Sequence, residues 1–98
     1  MEVILKLNEE QRGAFILKQG DKQIGEMDIA VRGNEVIVYH TEISPEAEGK
    51  GLSMRLMEAL NEYARENNFK VNPLCSFVHG QFKKHPDMYK DLWNSQGK

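Results

Sequence analysis

Three features of this 98-residue sequence predict an α+β fold. Four successive stretches over residues 2–43 are rich in alternating or β-branched apolar residues and are separated by turn-forming residues. A long segment after them carries apolar residues at helical spacing. A short extended run, stopped by Pro73, is then followed by further helical sequence. Strands that come first and helices that come after read as a sheet with helices packed on its faces.

The first strand covers residues 2–7, with Val3, Leu5 and Leu7 apolar, and a polar turn follows at 8–13. Ala14 begins the second strand, which ends at the hairpin signal Gln19-Gly20-Asp21-Lys22. Residues 23–31 form the third strand through Ile24, Met27, Ile29 and Val31; Gly25 inside it marks a bulge or a weak pairing. Gly33-Asn34 closes the next hairpin. Residues 35–43, Glu-Val-Ile-Val-Tyr-His-Thr-Glu-Ile, are the strongest strand sequence, and the four strands make an antiparallel meander. A helix is expected over about 50–66, with Leu52, Leu56, Met57, Leu60, Tyr63 and Ala64 on one face and Asn67-Asn68 at its end. Residues 69–72 form a short fifth strand next to the fourth, and Pro73 prevents it from continuing as a central one. Ser76 is the expected N-cap of a helix running to about Lys84. His85-Pro86 breaks that helix, Asp87 caps a last short one with Met88, Tyr89, Leu92 and Trp93, and the tail from Asn94 is expected to fray.

Composition narrows the function classes. Ninety-eight residues suit one domain over 1–98. A formal net charge of -2 argues against a general nucleic-acid binder. No apolar run is long enough to cross a bilayer, and residues 1–20 lack the charged and apolar regions of a signal peptide. The single cysteine cannot form an internal disulfide, which fits a cytoplasmic protein. No Cys/His cluster has metal-ligand spacing, so no metal is expected. A monomer or weak dimer is the expected state.

The turn between the fourth strand and the long helix carries the clearest chemical signal. Gly49-Lys50-Gly51 stands at a helix start, where unpaired amides and the helix dipole attract anions. Glycines there let the backbone approach a phosphate closely. The turn is not a Walker loop, because Gly51 rather than Ser or Thr follows Lys50. Nor is it a Rossmann fingerprint, because Met54 stands where a third glycine is required. A phosphate cradle and an ordinary tight turn are the two readings of Gly-x-Gly alone.

The neighbouring residues carry a resemblance. His40-Thr41-Glu42-Ile43, Ser44-Pro45-Glu46, Gly49-x-Gly51 and Leu56 are similar to the acetyl-CoA-binding core of the GNAT superfamily of N-acetyltransferases. Pro73-Leu74-Cys75-x-Phe77-Val78, with His85-Pro86 and Tyr89, resembles its minimal, single-domain YjdJ-type branch. The resemblance implies a GNAT-like acyl-CoA N-acyltransferase fold. It implies that the pyrophosphate of CoA lies on the amides around residues 49–53, and that the acetyl thioester lies beside the fourth strand. Pantetheine would lie between the diverging fourth and fifth strands. Ile43, Glu48, Gly49, Lys50, Gly51, Leu52 and Ser53 are then the expected cofactor contacts. Glu48 stands where Arg or Gln is usual and Ser53 where Gly or Ala is usual; neither change removes a backbone donor.

Each further candidate has a plain alternative. Cys75 precedes a helix start and is either a buried small residue or, as the resemblance implies, a nucleophile or a contact to pantetheine. His40, read on one strand face with Val36, Val38 and Glu42, is either a core histidine or a general base one strand away from Cys75. His79 is a weaker and more exposed candidate. Tyr89 either protonates the departing CoA thiolate or packs with Trp93 against the sheet. Lys83, Lys84, His85 and Lys90 form a basic cluster that is either solvated surface or a partner for the 3′-phosphate of CoA. The expected function is acetyl-CoA-dependent transfer of acetyl to an amine, directly or through Cys75, with CoA and an amine acceptor as partners. The alternative is a non-catalytic CoA- or acyl-CoA-binding module. The resemblance implies an acceptor pocket shaped, in many larger relatives, by helices between the first two strands. Only a short polar turn stands there in this chain, so the acceptor side is expected to be open and to suit a peptide or protein.

Overall fold

A computed structural model describes residues 1–94. Strands β1 (Glu2–Leu7), β2 (Arg12–Gln19), β3 (Lys22–Arg32) and β4 (Glu35–Ile43) form the antiparallel meander. Helix α1 (Ser53–Glu66) then carries the chain back, so that β5 (Lys70–Pro73) pairs parallel to β4 and the sheet order is β1-β2-β3-β4-β5. Helices α2 (Ser76–Lys84) and α3 (Pro86–Tyr89) follow. Among the described residues no helix is long and apolar enough to cross a membrane.

Alternation puts Phe15, Leu17, Met27, Ile29, Val36, Val38 and Val71 on one face, all buried. The core cluster that contains them also holds Leu56, Met57 and Leu60 of α1, Val78 and Phe82 of α2 and Tyr89 of α3. The helices therefore pack on one face of the sheet rather than on both. The other face presents Ile4 and Ile16 in register, with Arg12 stacked 4.2 Å over the Tyr39 ring. Nothing larger can cover it from the β1–β2 link. That link is a tight turn in which Asn8 Oδ1 accepts from the amides of Glu10 and Arg12, and Gln11 takes a φ of 62°.

Two irregularities in register shape the sheet. The first lies between Leu17 and Lys18, beside Gly25 as the sequence suggested. The second lies between Asp28 and Ile29, which pair with His40 and Val38, so Tyr39 is an extra residue in β4. A bulge of this kind reverses the alternation beyond it. Val36 and Val38 stay in the core, but His40 turns to the open face, and Thr41, in register with the buried Met27, turns to the helix side. The expectation that His40 shares a face with Val36 and Val38 is overturned by this one residue.

Several boundaries move for local reasons. Strand β2 begins at Arg12, and Gly13 lies within it opposite Leu7. Helix α1 begins at Ser53 rather than near Lys50, because Gly49 and Gly51 hold left-handed φ values of 84° and 70° that no helix accommodates. Cys75, not Ser76, is the N-cap of α2, and His85, not Asp87, that of α3. Asn68, with φ 57°, terminates α1. The segment expected to fray from Asn94 is in part a strand edge. Val71 N–H donates to the Leu92 carbonyl at 2.7 Å, and Asn94 N–H to that of Val71 at 2.9 Å. The rest of that expected tail, 95–98, lies outside the described residues.

Glycine positions give a direct test of this packing. A Cβ on Gly13 would lie 1.9 Å from the Lys6 carbonyl oxygen, whereas one on Gly80, inside α2, would meet nothing within 4 Å. Gly13→Ala is expected to destabilise by about 1–3 kcal/mol or more, since backbone must move. Gly80→Ala should stabilise by about 0.5–1 kcal/mol through helix propensity. Urea unfolding of the two variants checks both signs.

Candidate active site

The site grows from the point where β4 loses its second neighbour. The parallel ladder runs from Glu35–Lys70 to Val38–Pro73 and stops. Cys75 N–H donates to the Val38 carbonyl at 2.9 Å, and the chain then turns into α2. From residue 39 to 43, β4 pairs only with β3, and no strand among the described residues covers its other edge. A cleft of about 460 Å³ opens beside this edge. Its walls are His40, Thr41, Glu42 and Ile43 of β4, Pro45 and Ala47 of a short 3-10 turn, and Glu48, Gly49, Gly51, Leu52 and Ser53. That volume is in the usual range for a small-molecule site.

The glycine turn forms one end of the cleft. Among the described residues the five amides of 49–53 donate no backbone hydrogen bond; the first helix-type bonds run from Met54 to Gly51 and from Arg55 to Leu52. Leu52, the N-cap, has no side chain able to cap, and no acidic residue occupies the first turn of α1. A run of free donors at a helix start is an anion cradle. A Cβ at Gly49 or Gly51 would meet no protein atom and would project into open space, but the positive φ at both favours glycine. The residues present thus fit the phosphate groups of a nucleotide-type ligand.

Charged residues are distributed around the cradle unevenly. Glu46 is held by Lys22 at 3.1 Å, which ties the 3-10 turn to the β2–β3 hairpin. Glu48 lines the cleft and is exposed, with no ion pair among the described residues. Lys50 is exposed and does not line it. Lys84 and His85 are also exposed but lie at and just after the far end of α2, roughly 12 Å along the helix from its start at 1.5 Å per residue. Lys83 and Lys84 there complement the carbonyl end of the helix dipole.

The three candidate reacting groups separate. His40 stays on the cleft wall, exposed, with Nε2 3.8 Å from Glu42 Oε1. Cys75 is 5% exposed and is absent from the wall. Its Sγ lies 3.2 Å from Thr41 Oγ1, so Thr41 stands between the thiol and the cleft. Tyr89 is 4% exposed and stacks on Phe82 at 5.0 Å; Trp93 contacts Phe82 as well, at 5.8 Å. The carbonyl of Met88, the residue before Tyr89, accepts from Arg65 at 3.1 Å, and Asp91 holds Arg65 at 3.0 Å near the C-terminal end of α1. Tyr89 is therefore a core residue at the opposite end of α1 from the glycine turn.

Sequence reading missed Thr41, because no local signal announced the bulge that turns it. It also missed a set of carboxylates on the open face beside the cleft. Glu26 stands opposite Glu42, and Asp28 opposite His40. A hydrogen bond shared with Asp28, partial burial and the negative charges of Asp28 and Glu42 raise the Glu26 carboxyl above the usual glutamate range, and Gln23, donating at 2.8 Å, opposes this.

With this geometry, comparison with known proteins is decisive about family. A family model of the GCN5-related N-acetyl-transferases matches residues 14–92. The chain belongs to that family and has its fold. It is 32% identical to a GCN5-like candidate N-acetyltransferase from Staphylococcus aureus whose NMR solution structure superposes with a TM-score of 0.67. That alignment covers 94% of this chain and 86% of the other. The crystal structure of the ribosomal-protein-S18-alanine N-acetyltransferase from Escherichia coli matches at a TM-score of 0.60 and 20% identity, a likeness of fold alone. This match covers 65% of this chain and 42% of that one. Comparison with curated proteins gives no significant match.

The carboxylate set yields a stability prediction. A raised carboxyl pKa contributes stability below the unfolded value that is lost as pH rises through the folded value, so the ionised cluster opposes folding at neutral pH. Glu26→Gln should stabilise at pH 7 by about 0.2–1 kcal/mol, the size of a cross-strand pair. The gain should shrink below about pH 4, where glutamate is protonated in both states. Denaturant titrations at the two pH values measure the difference.

Proposed function

We propose that the protein transfers an acetyl group from acetyl-CoA to an amine, acting as a single cytoplasmic domain over residues 1–98. One observation carries this reading. Among the described residues the amides of 49–53 make no backbone hydrogen bond, and Gly49, Gly51, Leu52 and Ser53 line the same cleft as the unpartnered edge of β4. Amides 49–53 would hold the diphosphate, and Ile43 and the β4 edge would hold the arm. When bound, acetyl-CoA supplies an acetyl group already activated as a thioester.

The chain's own residues then have separable roles. His40, on the cleft wall with Glu42 beside it, is the group suited to take a proton from the attacking amine. Glu26, Asp28 and Glu42 put negative charge where a cationic amine would arrive. Direct transfer is favoured over an acetyl-cysteine, because the Cys75 thiol is buried behind Thr41. The tight turn between β1 and β2 leaves the acceptor side open, which suits a peptide or protein amine. A second reading, a CoA- or acyl-CoA-binding module without catalysis, draws support from Glu48, which lines the cleft with no ion pair among the described residues, and from the burial of Tyr89. Acceptor-dependent release of free CoA thiol separates the two, and absence of CoA binding by calorimetry would refute both.

Glu48 provides a quantitative check. A carboxylate about 7 Å from two phosphate charges, at an effective dielectric of about 40–80, weakens binding by about threefold to sevenfold per charge before salt screening. Glu48→Arg should therefore tighten CoA binding several-fold or more, most at low salt, and Glu48→Gln about half as much on a free-energy scale. Gly51→Val should abolish binding with little change in circular dichroism. Calorimetric titration with CoA at two salt concentrations tests these outcomes; equal affinity of wild type and Glu48→Arg at low salt would count against phosphates in the turn.

A further inference from the structure

We propose that Thr41 is the residue that recognises the acyl end of an acyl-CoA, and that the thiol of Cys75 positions it. This rests on the reading that the cleft accepts acyl-CoA. The bulge at Tyr39 directs Thr41 to the helix side just after the β4–β5 ladder ends, and Thr41 lines the cleft there. Among the cleft residues only Thr41 and Ser53 carry a hydroxyl. Ser53 belongs to the glycine turn, so Thr41 is the hydroxyl of the strand wall.

The direction of its proton follows from Cys75. The Cys75 amide is spent on Val38, and its carbonyl accepts from the His79 amide at 3.0 Å. Thr41 Oγ1 is the hydrogen-bond partner of Sγ, at 3.2 Å. Oxygen is the better acceptor and sulfur the poorer one. With S–H donating to Oγ1, the buried thiol proton is satisfied and the Thr41 hydroxyl proton is left for the cleft. The reverse arrangement leaves the S–H without an acceptor and presents only a lone pair to a ligand. Thr41 is thus a donor held ready by Cys75. A thioester carbonyl accepts such a hydrogen bond, whereas the thiol end of free CoA has no carbonyl to accept it. The pair therefore discriminates acyl-CoA from CoA, and Cys75 is a positioning residue.

The test is calorimetric titration of the full chain with CoA and with acetyl-CoA, read as the ratio of the two dissociation constants. Thr41→Val, which keeps the shape, should shift the ratio about two- to tenfold against acetyl-CoA, the worth of one hydrogen bond. Thr41→Ser should keep the wild-type ratio. Cys75→Ala should shift it in the same direction by a smaller factor, and Cys75→Ser should restore it, an effect that a packing role alone would not produce. Thermal melts accompany each variant, and the Cys75 pair reads the same ratio if Thr41→Val fails to fold. An unchanged ratio in Thr41→Val, or equal losses for both ligands, would overturn the proposal while the cofactor reading stands. Cys75→Ser behaving as Cys75→Ala would overturn the positioning role. Failure of the wild type to bind either ligand would overturn the cofactor reading and this inference with it.

Discussion

A strand in the middle of a sheet has both edges saturated, and β4 keeps that condition only as far as Val38. There the ladder with β5 meets Pro73, which has no amide hydrogen to extend it, and Cys75 N–H makes the last link before the chain leaves as α2. The bulge at Tyr39 falls at the same level. The two events together turn the second half of β4 into an open edge inside the fold. Unpaired backbone in a concave place must be solvated or bound, so the cleft is a consequence of where pairing stops. The glycine turn then closes its far end with a second row of free donors.

The surrounding packing keeps this opening in place. Leu56, Met57 and Leu60 fix α1 to the sheet core, Val78 and Phe82 do the same for α2, and Arg65 ties the end of α1 to α3 through Asp91 and the Met88 carbonyl. On the outer side, the Leu92–Asn94 segment takes up Val71, so the exposed edge of β5 is partly protected. The helices and both flanks of β5 are thus committed to packing. The β4 edge over 39–43 is left over.

Much of this was legible in the sequence because the signals are local. Alternation set the meander, Pro73 limited β5, and Gly49 and Gly51 marked the turn for a backbone reason that the φ values bear out. What could not be read depends on partners distant along the chain. The bulge at Tyr39 is a property of register against Asp28 and Ile29, and it exchanged the faces of His40 and Thr41. The burial of Tyr89 depends on Phe82 in α2, and the seclusion of Cys75 on Thr41 in β4. Residue type and the family resemblance together made His40, Cys75 and Tyr89 look like one constellation. Only His40 reaches the cleft wall.

The open face of the sheet follows from the same economy of chain. The β1–β2 link supplies no covering helix, because residues 8–11 form a turn closed by the Asn8 side chain. Coverage falls to long side chains, with Arg12 lying on Tyr39 beside the buried Ala30. Polar groups can then remain on that face at little desolvation cost, which is why Glu26, Asp28 and Glu42 are tolerated side by side. Their mutual repulsion is still a cost to folding at neutral pH, and a cation arriving from that side would relieve it. An uncovered face, a charge that favours an ammonium group and an unpaired strand edge meet at the mouth of one cleft. Among the described residues no layer covers this face, and under the proposed transfer reading that is the side from which a peptide or protein amine would approach.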